Sequence, residues 1–174
     1  MAAQKWPDLS PILKGIPWAV IGGVATRAYM PERTTQDLDI LIASSNSKKA
    51  HKRLSSAGFV YRQDLTIGGS AWETPEGQSV DVVEINDPWL SEAFKQLQTD
   101  PQGLPVLSLP YLVLLKFQAS RLQDLADISR MLGLASVEDR QAARQVFAKW
   151  QPDELDDLES LITLGDLELG RDSS

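Results

Sequence analysis

The chain has 174 residues, a net charge of −7, 43% hydrophobic and 24% charged residues, which is enough apolar material for one core with appended helices. It contains no cysteine and one histidine, His51. Disulfides, thiolate catalysis, sulfur-ligated metals and a histidine-anchored zinc site are therefore excluded.

Trp18-Ala19-Val20-Ile21 reads as a short buried strand, and Val24 to Met30 has a composition that suits a helix. Gly22-Gly23 then falls at a strand-to-helix turn. A turn without Cβ atoms lets phosphate oxygens approach backbone N–H groups, and a helix N-terminus favours an anion. The run Asp37-Leu38-Asp39-Ile40-Leu41-Ile42 predicts a strand that projects both carboxylates from one face while Leu38 and Ile40 pack behind. Two like charges so placed repel unless a cation lies between them, and a hard divalent ion suits carboxylate oxygens.

Lys48 to Ser56 predicts a helix stopped by Gly58, and Phe59-Val60-Tyr61 a strand. In that helix Lys48, Lys49, Lys52 and Arg53 surround His51, which predicts a solvated face or a phosphate-contacting patch. Ser70 to Glu73 and Ser79 to Ile85 read as a hairpin around Thr74-Pro75-Glu76-Gly77. Asp81 reaches the strand of Asp37 and Asp39 only if the sheet is mixed; Glu84 falls on the opposite face by parity and is not counted as a ligand. Pro88 to Leu97 predicts a helix, Val106-Leu107 an extended pair, and Ser108 an N-cap for a helix from Pro110 to Ala119. Two or three further helices follow, with Gly133 as a stop and Ser136-x-x-Asp139 as a capping box.

Turn, paired acids and a third acid in this order resemble the nucleotidyltransferase superfamily that includes DNA polymerase beta. The resemblance spans roughly residues 16 to 132. Within it, Gly22-Gly23-x-Ala25 followed by Arg33-x-Thr35-x-Asp37-x-Asp39 is most similar to AbiEii-type toxins and minimal nucleotidyltransferases. Lys116, Arg121, Asp124 and Asp127 match their downstream helix pattern, with Gln123 where a basic residue is common. The resemblance implies an α+β fold, a mixed sheet flanked by helices. It places the catalytic core in 1–105 and a C-terminal helical segment packed on that core in 106–174.

It further implies transfer of NMP from an NTP to an acceptor hydroxyl. Asp37, Asp39 and Asp81 would hold Mg2+ or Mn2+, and Asp81 would serve the acceptor. Gly22, Gly23, Arg33 and Lys116 would meet the nucleotide. The acceptor would be RNA, such as a tRNA end, or a protein, with an antitoxin as partner. The alternatives are an antibiotic adenylyltransferase and an inactive binding protein of the same fold. Antibiotic-modifying families usually carry an acid a few residues beyond the glycines, where this chain has Thr26-Arg27-Ala28.

Lys116 interrupts the apolar run Tyr111 to Leu115, so its ammonium needs either the triphosphate or an internal carboxylate such as Asp127, unless its stem snorkels to water. The charge excess lies in 151–174, where Arg171 is the only basic residue, so an acidic tail is expected from about residue 151. An acidic chain binds nucleic acid poorly outside a local basic patch. No run approaches the ~18 apolar residues needed to cross a bilayer, and the start lacks signal-peptide character, so a cytoplasmic location is expected.

Overall fold

The computed structural model describes residues 4–171. The chain divides into two compact units, one containing the stretch up to Ala25 and Arg33–Leu107, the other Thr26–Glu32 and the residues from Ser108 onward.

The first unit is built on a seven-stranded sheet. Its strands are β1 (Trp18–Ile21), β2 (Asp37–Ala43), β3 (Val60–Asp64), β4 (Gly69–Glu73), β5 (Ser79–Ile85), β6 (Gln98–Thr99) and β7 (Pro105–Val106), in the spatial order β3-β4-β5-β2-β1-β7-β6. The sheet is mixed: β2 runs parallel to β5 and β1 parallel to β7, while β1/β2, β3/β4, β4/β5 and β6/β7 are antiparallel. The antiparallel β4–β5 hairpin thereby delivers β5 parallel to β2, the condition on which Asp81 depends. All four residues of β1 are buried, as are Leu38 and Ile40 behind the acids. Burying each of Val20, Ile21, Leu38 and Ile40 contributes about 1.5–3 kcal/mol.

α1 (Gly22–Thr26) starts at the first glycine and is shorter than the sequence suggests. α2 (Ser47–Ser56) buries Ala50 and Leu54. α3 covers only Leu90–Ala93 of the helix expected over 88–97; at Lys95 and Gln96 the backbone bonds reach back three residues, to Glu92 and Ala93, and the chain is extended by Gln98. The segment before β1 is tied in through Gln102, which accepts from Trp6 N at 3.0 Å and donates to Trp6 O at 2.6 Å.

The second unit holds α4 (Leu109–Ala119), α5 (Leu122–Leu134), α6 (Val137–Trp150) and α7 (Leu155–Glu168). Ser136 caps α6 by accepting from Asp139 N at 3.0 Å, as its spacing requires. Gly133 does not end α5. A Cβ there would lie 2.8 Å from the carbonyl oxygen of Gly165, and one on Gly165 2.1 Å from that of Ser129, so both glycines are needed for the close approach of α5 and α7. Arg140 fastens the same junction, donating to Asp166 and to the carbonyls of Leu132 and Gly133. Phe117 and Phe147 meet edge to face at 5.4 Å. Among the described residues no helix is long and apolar enough to cross a membrane.

Candidate active site

Strand parity and register bring the three acids together. Asp37 and Asp39 alternate with the buried Leu38 and Ile40, so both leave the sheet on one face. Asp39 stands opposite Asp81 on β5 and opposite Ile21 on β1, immediately before Gly22. The acids therefore cross two adjacent parallel strands, with the glycine turn at their β1 side.

That turn is shaped around the carboxylate. Gly22 has φ +65°, and a Cβ on it would lie 2.1 Å from Asp39 Oδ2. Only glycine fits there on both counts. The Arg33 guanidinium rests on Gly23, 3.1 Å from where a Cβ would stand. A cation, a bare backbone turn and a carboxylate thus occupy one edge of the acid face.

On the other side of the acids is a 380 Å³ cleft lined by Asp37, Asp81, Ser79 and Glu73 together with Arg62 and Gln63. Burial, and then the negative charge of Asp37, push the Asp81 carboxyl above its ordinary range. Relief of that repulsion is what a bound cation supplies, and an all-carboxylate donor set fits Mg2+ or Mn2+. The Asp39 carboxylate lies against Gly22, and among the described residues the acids form no closed three-ligand group.

Arg62 and Gln63 carried no signal in the sequence. Tyr61 pairs with Trp72 and Gln63 with Ala71, so Arg62 is the extra residue of a bulge, which is how two consecutive side chains line one cleft. Arg62 pairs with Glu73 at 2.7 Å. A larger cavity of 610 Å³ lies at the far ends of β2 and β5, by Ala43, Ile85, Leu90 and Phe94. Its lining is mostly apolar and holds no carboxylate pair, so the chemistry points to the smaller cleft.

His51 departs from the expected solvated face. Its Nε2 lies 2.8 Å from Glu84 Oε1 and 3.0 Å from Ser70 Oγ, and its ring meets Trp72 edge-on at 5.3 Å. Glu84 and Ser70 have the opposite parity to Asp81 and its partner Ala71, so α2 packs on the sheet face away from the acids. Arg53 on the same helix donates to the carbonyls of Ile12 and Lys14.

Lys116 lies in the second unit. Its Nζ contacts Asp127 Oδ2 at 2.9 Å and Asp124 Oδ1 at 3.3 Å, with the lysine side chain 4% exposed. Of the partners considered from sequence, the structure supplies internal carboxylates. Arg121 completes the group at 2.7 Å from Asp124, and Gln123 donates to Asp127 at 2.9 Å.

No protein-family model and no curated protein matches the chain. Solved structures do. ANT(2″)-Ia in complex with adenylyl-2″-tobramycin is 12% identical, with 88% of this chain and 91% of that chain covered and a TM-score of 0.50. The lincosamide antibiotic adenylyltransferase LnuA, lincomycin-bound, is 15% identical, with 73% and 92% covered and a TM-score of 0.51. At such identity the likeness is one of fold: the chain has the nucleotidyltransferase-like α+β architecture.

Proposed function

We propose that a chain with this fold and this acid face is a nucleotidyltransferase that moves NMP from an NTP to an acceptor hydroxyl. The observation that carries the reading is the registered row Asp39–Asp81, with Asp37 beside it and Gly22 packed on Asp39. Arg33 and the Gly22-Gly23 turn would receive the triphosphate, since a guanidinium and a backbone turn without side chains are its natural partners. Asp37, Asp39 and Asp81 would hold Mg2+, which when bound neutralises phosphate charge and acidifies the acceptor hydroxyl. Asp81, in register with Asp39 and lining the cleft, would take the hydroxyl proton. The acceptor oxygen forms its bond to the α-phosphorus, the α–β bridging bond breaks, and pyrophosphate leaves with that electron pair.

Lys116 is not assigned to the nucleotide here, because its charge is already met by Asp124 and Asp127. The Arg33-x-Thr35-x-Asp37-x-Asp39 order would suit a toxin-like role with an antitoxin partner, whereas the lining of the cleft beside Asp81 favours a small-molecule acceptor. Incubation with each α-labelled NTP, Mg2+ and separate RNA, protein and small-molecule fractions tests the reading. Label transferred by the wild type and not by Asp39→Asn is expected; equal transfer by both overturns the site.

A further inference from the structure

Resting on that reading, we propose that the cleft between Asp81 and the bulged Arg62 is the acceptor subsite, and that it takes a small, hydroxyl-rich molecule without phosphate or carboxylate groups. The triphosphate elements, Gly22, Gly23 and Arg33, lie on the β1 side of the acids. The cleft opens on the β4 and β3 side, so Asp81 has the two on opposite flanks.

Its volume, 380 Å³, is that of a small-molecule site. Its polar groups are of a kind that reads hydroxyls. Gln63 offers both a donor and an acceptor, Ser79 a hydroxyl, and the Arg62–Glu73 pair a fork of donors beside a carboxylate. Arg62 is the one cation among the lining residues and Glu73 already neutralises it, while Asp37 and Asp81 add negative charge. With Mg2+ on the acids and Arg62 paired, the lining would keep no surplus cation to draw a polyanion such as RNA. The basic residues that could draw RNA, Lys48, Lys49 and Lys52, ride on α2, whose contacts with Glu84 and Ser70 put it on the opposite face of the sheet. The bulge is the device that makes the subsite, because a regular β3 would turn either Arg62 or Gln63 away from the cleft.

The test pairs binding with transfer. The amino disaccharide of glucosamine, its N-acetylated form and trehalose are titrated calorimetrically into the protein without NTP or metal, and the same sugars and a tRNA fraction are offered with labelled NTP and Mg2+. Saturable binding of at least one sugar is expected, weakened about tenfold in Arg62→Gln and in Glu73→Gln, as for loss of a hydrogen bond to a charged group. The KM for that sugar should rise alike, with the KM for NTP unchanged and circular dichroism showing the fold retained. Lys49→Glu with Lys52→Glu should leave transfer unaltered. The proposal is overturned if no sugar binds, if label enters tRNA and falls with the α2 substitutions, or if Arg62→Gln raises the KM for NTP instead. Sugar binding that depends on Arg62 without any transfer would keep the cleft as a polyol site and remove the nucleotidyl-transfer reading, so the two fail separately.

Discussion

Replacing Lys116 with methionine tests what the buried ammonium is for. Methionine keeps the volume of the lysine stem, so little packing is lost and the change is mainly one of charge. The lysine, Asp124 and Asp127 side chains are 4%, 3% and 2% exposed, so none of them is screened by water. Asp124 keeps Arg121 at 2.7 Å, whereas Asp127 loses its 2.9 Å cation and retains the Gln123 amide. The variant thus breaks a buried ion pair chiefly at Asp127, at a cost of about 3–5 kcal/mol. For a chain of this size that lowers Tm by about 6–20 °C. Because a buried acid that loses its ammonium sheds its charge by taking up a proton, the deficit should shrink at acid pH, and adding Asp127→Asn should recover much of the loss. Thermal and urea melts of both variants, with and without Mg-NTP, measure this. A melting temperature unchanged or raised without ligand, with NTP binding weakened by about 1.5–3 kcal/mol, would refute the internal pairing and return Lys116 to the nucleotide.

Three further outcomes are expected. Asp39→Asn should abolish transfer while melting at or above the wild-type temperature, since it removes a like charge from the acid face; activity near the wild-type rate argues against the metal site. Gly22→Ala should cost about 1–2 kcal/mol for its left-handed backbone alone, and should also suppress transfer because its Cβ would displace the Asp39 carboxylate; a fully active, equally stable variant would contradict the contact. Asp81 has a folded-state carboxyl raised by burial and by Asp37, so its contribution to stability is fully present below its unfolded value and is lost as pH rises through the folded one. Asp81→Asn should therefore melt slightly higher than wild type at neutral pH, the gap closing below about pH 4, and should lose the Mg2+-induced rise in Tm. A gap that widens in acid would show the sign to be wrong.

Local periodicity determined the main strands and the long helices. Alternation of Asp37 and Asp39 with Leu38 and Ile40 leaves no other way to bury the apolar side, and Ser136 with Asp139 could only be a cap. That the paired acids share one face was legible for the same reason, whereas their resemblance to a nucleotidyltransferase strand rests on the order of Gly22-Gly23, Asp37-x-Asp39 and Asp81. The β4–β5 hairpin was legible from its turn, but long-range pairing was not, because it depends on contacts far apart in sequence. Asp81 meets Asp39 only through the parallel β2–β5 pair, reached by way of the β4–β5 hairpin. Gly133 looks like a helix stop until α7 is seen to need its bare backbone, and His51 on α2 looks solvated until Ser70 and Glu84 arrive from β4 and β5. The cleft depends on a single extra residue at Arg62, a misregister between two strands that neither strand's own sequence encodes. Sequence determined which side chains share a face; only tertiary pairing decided which faces and edges meet.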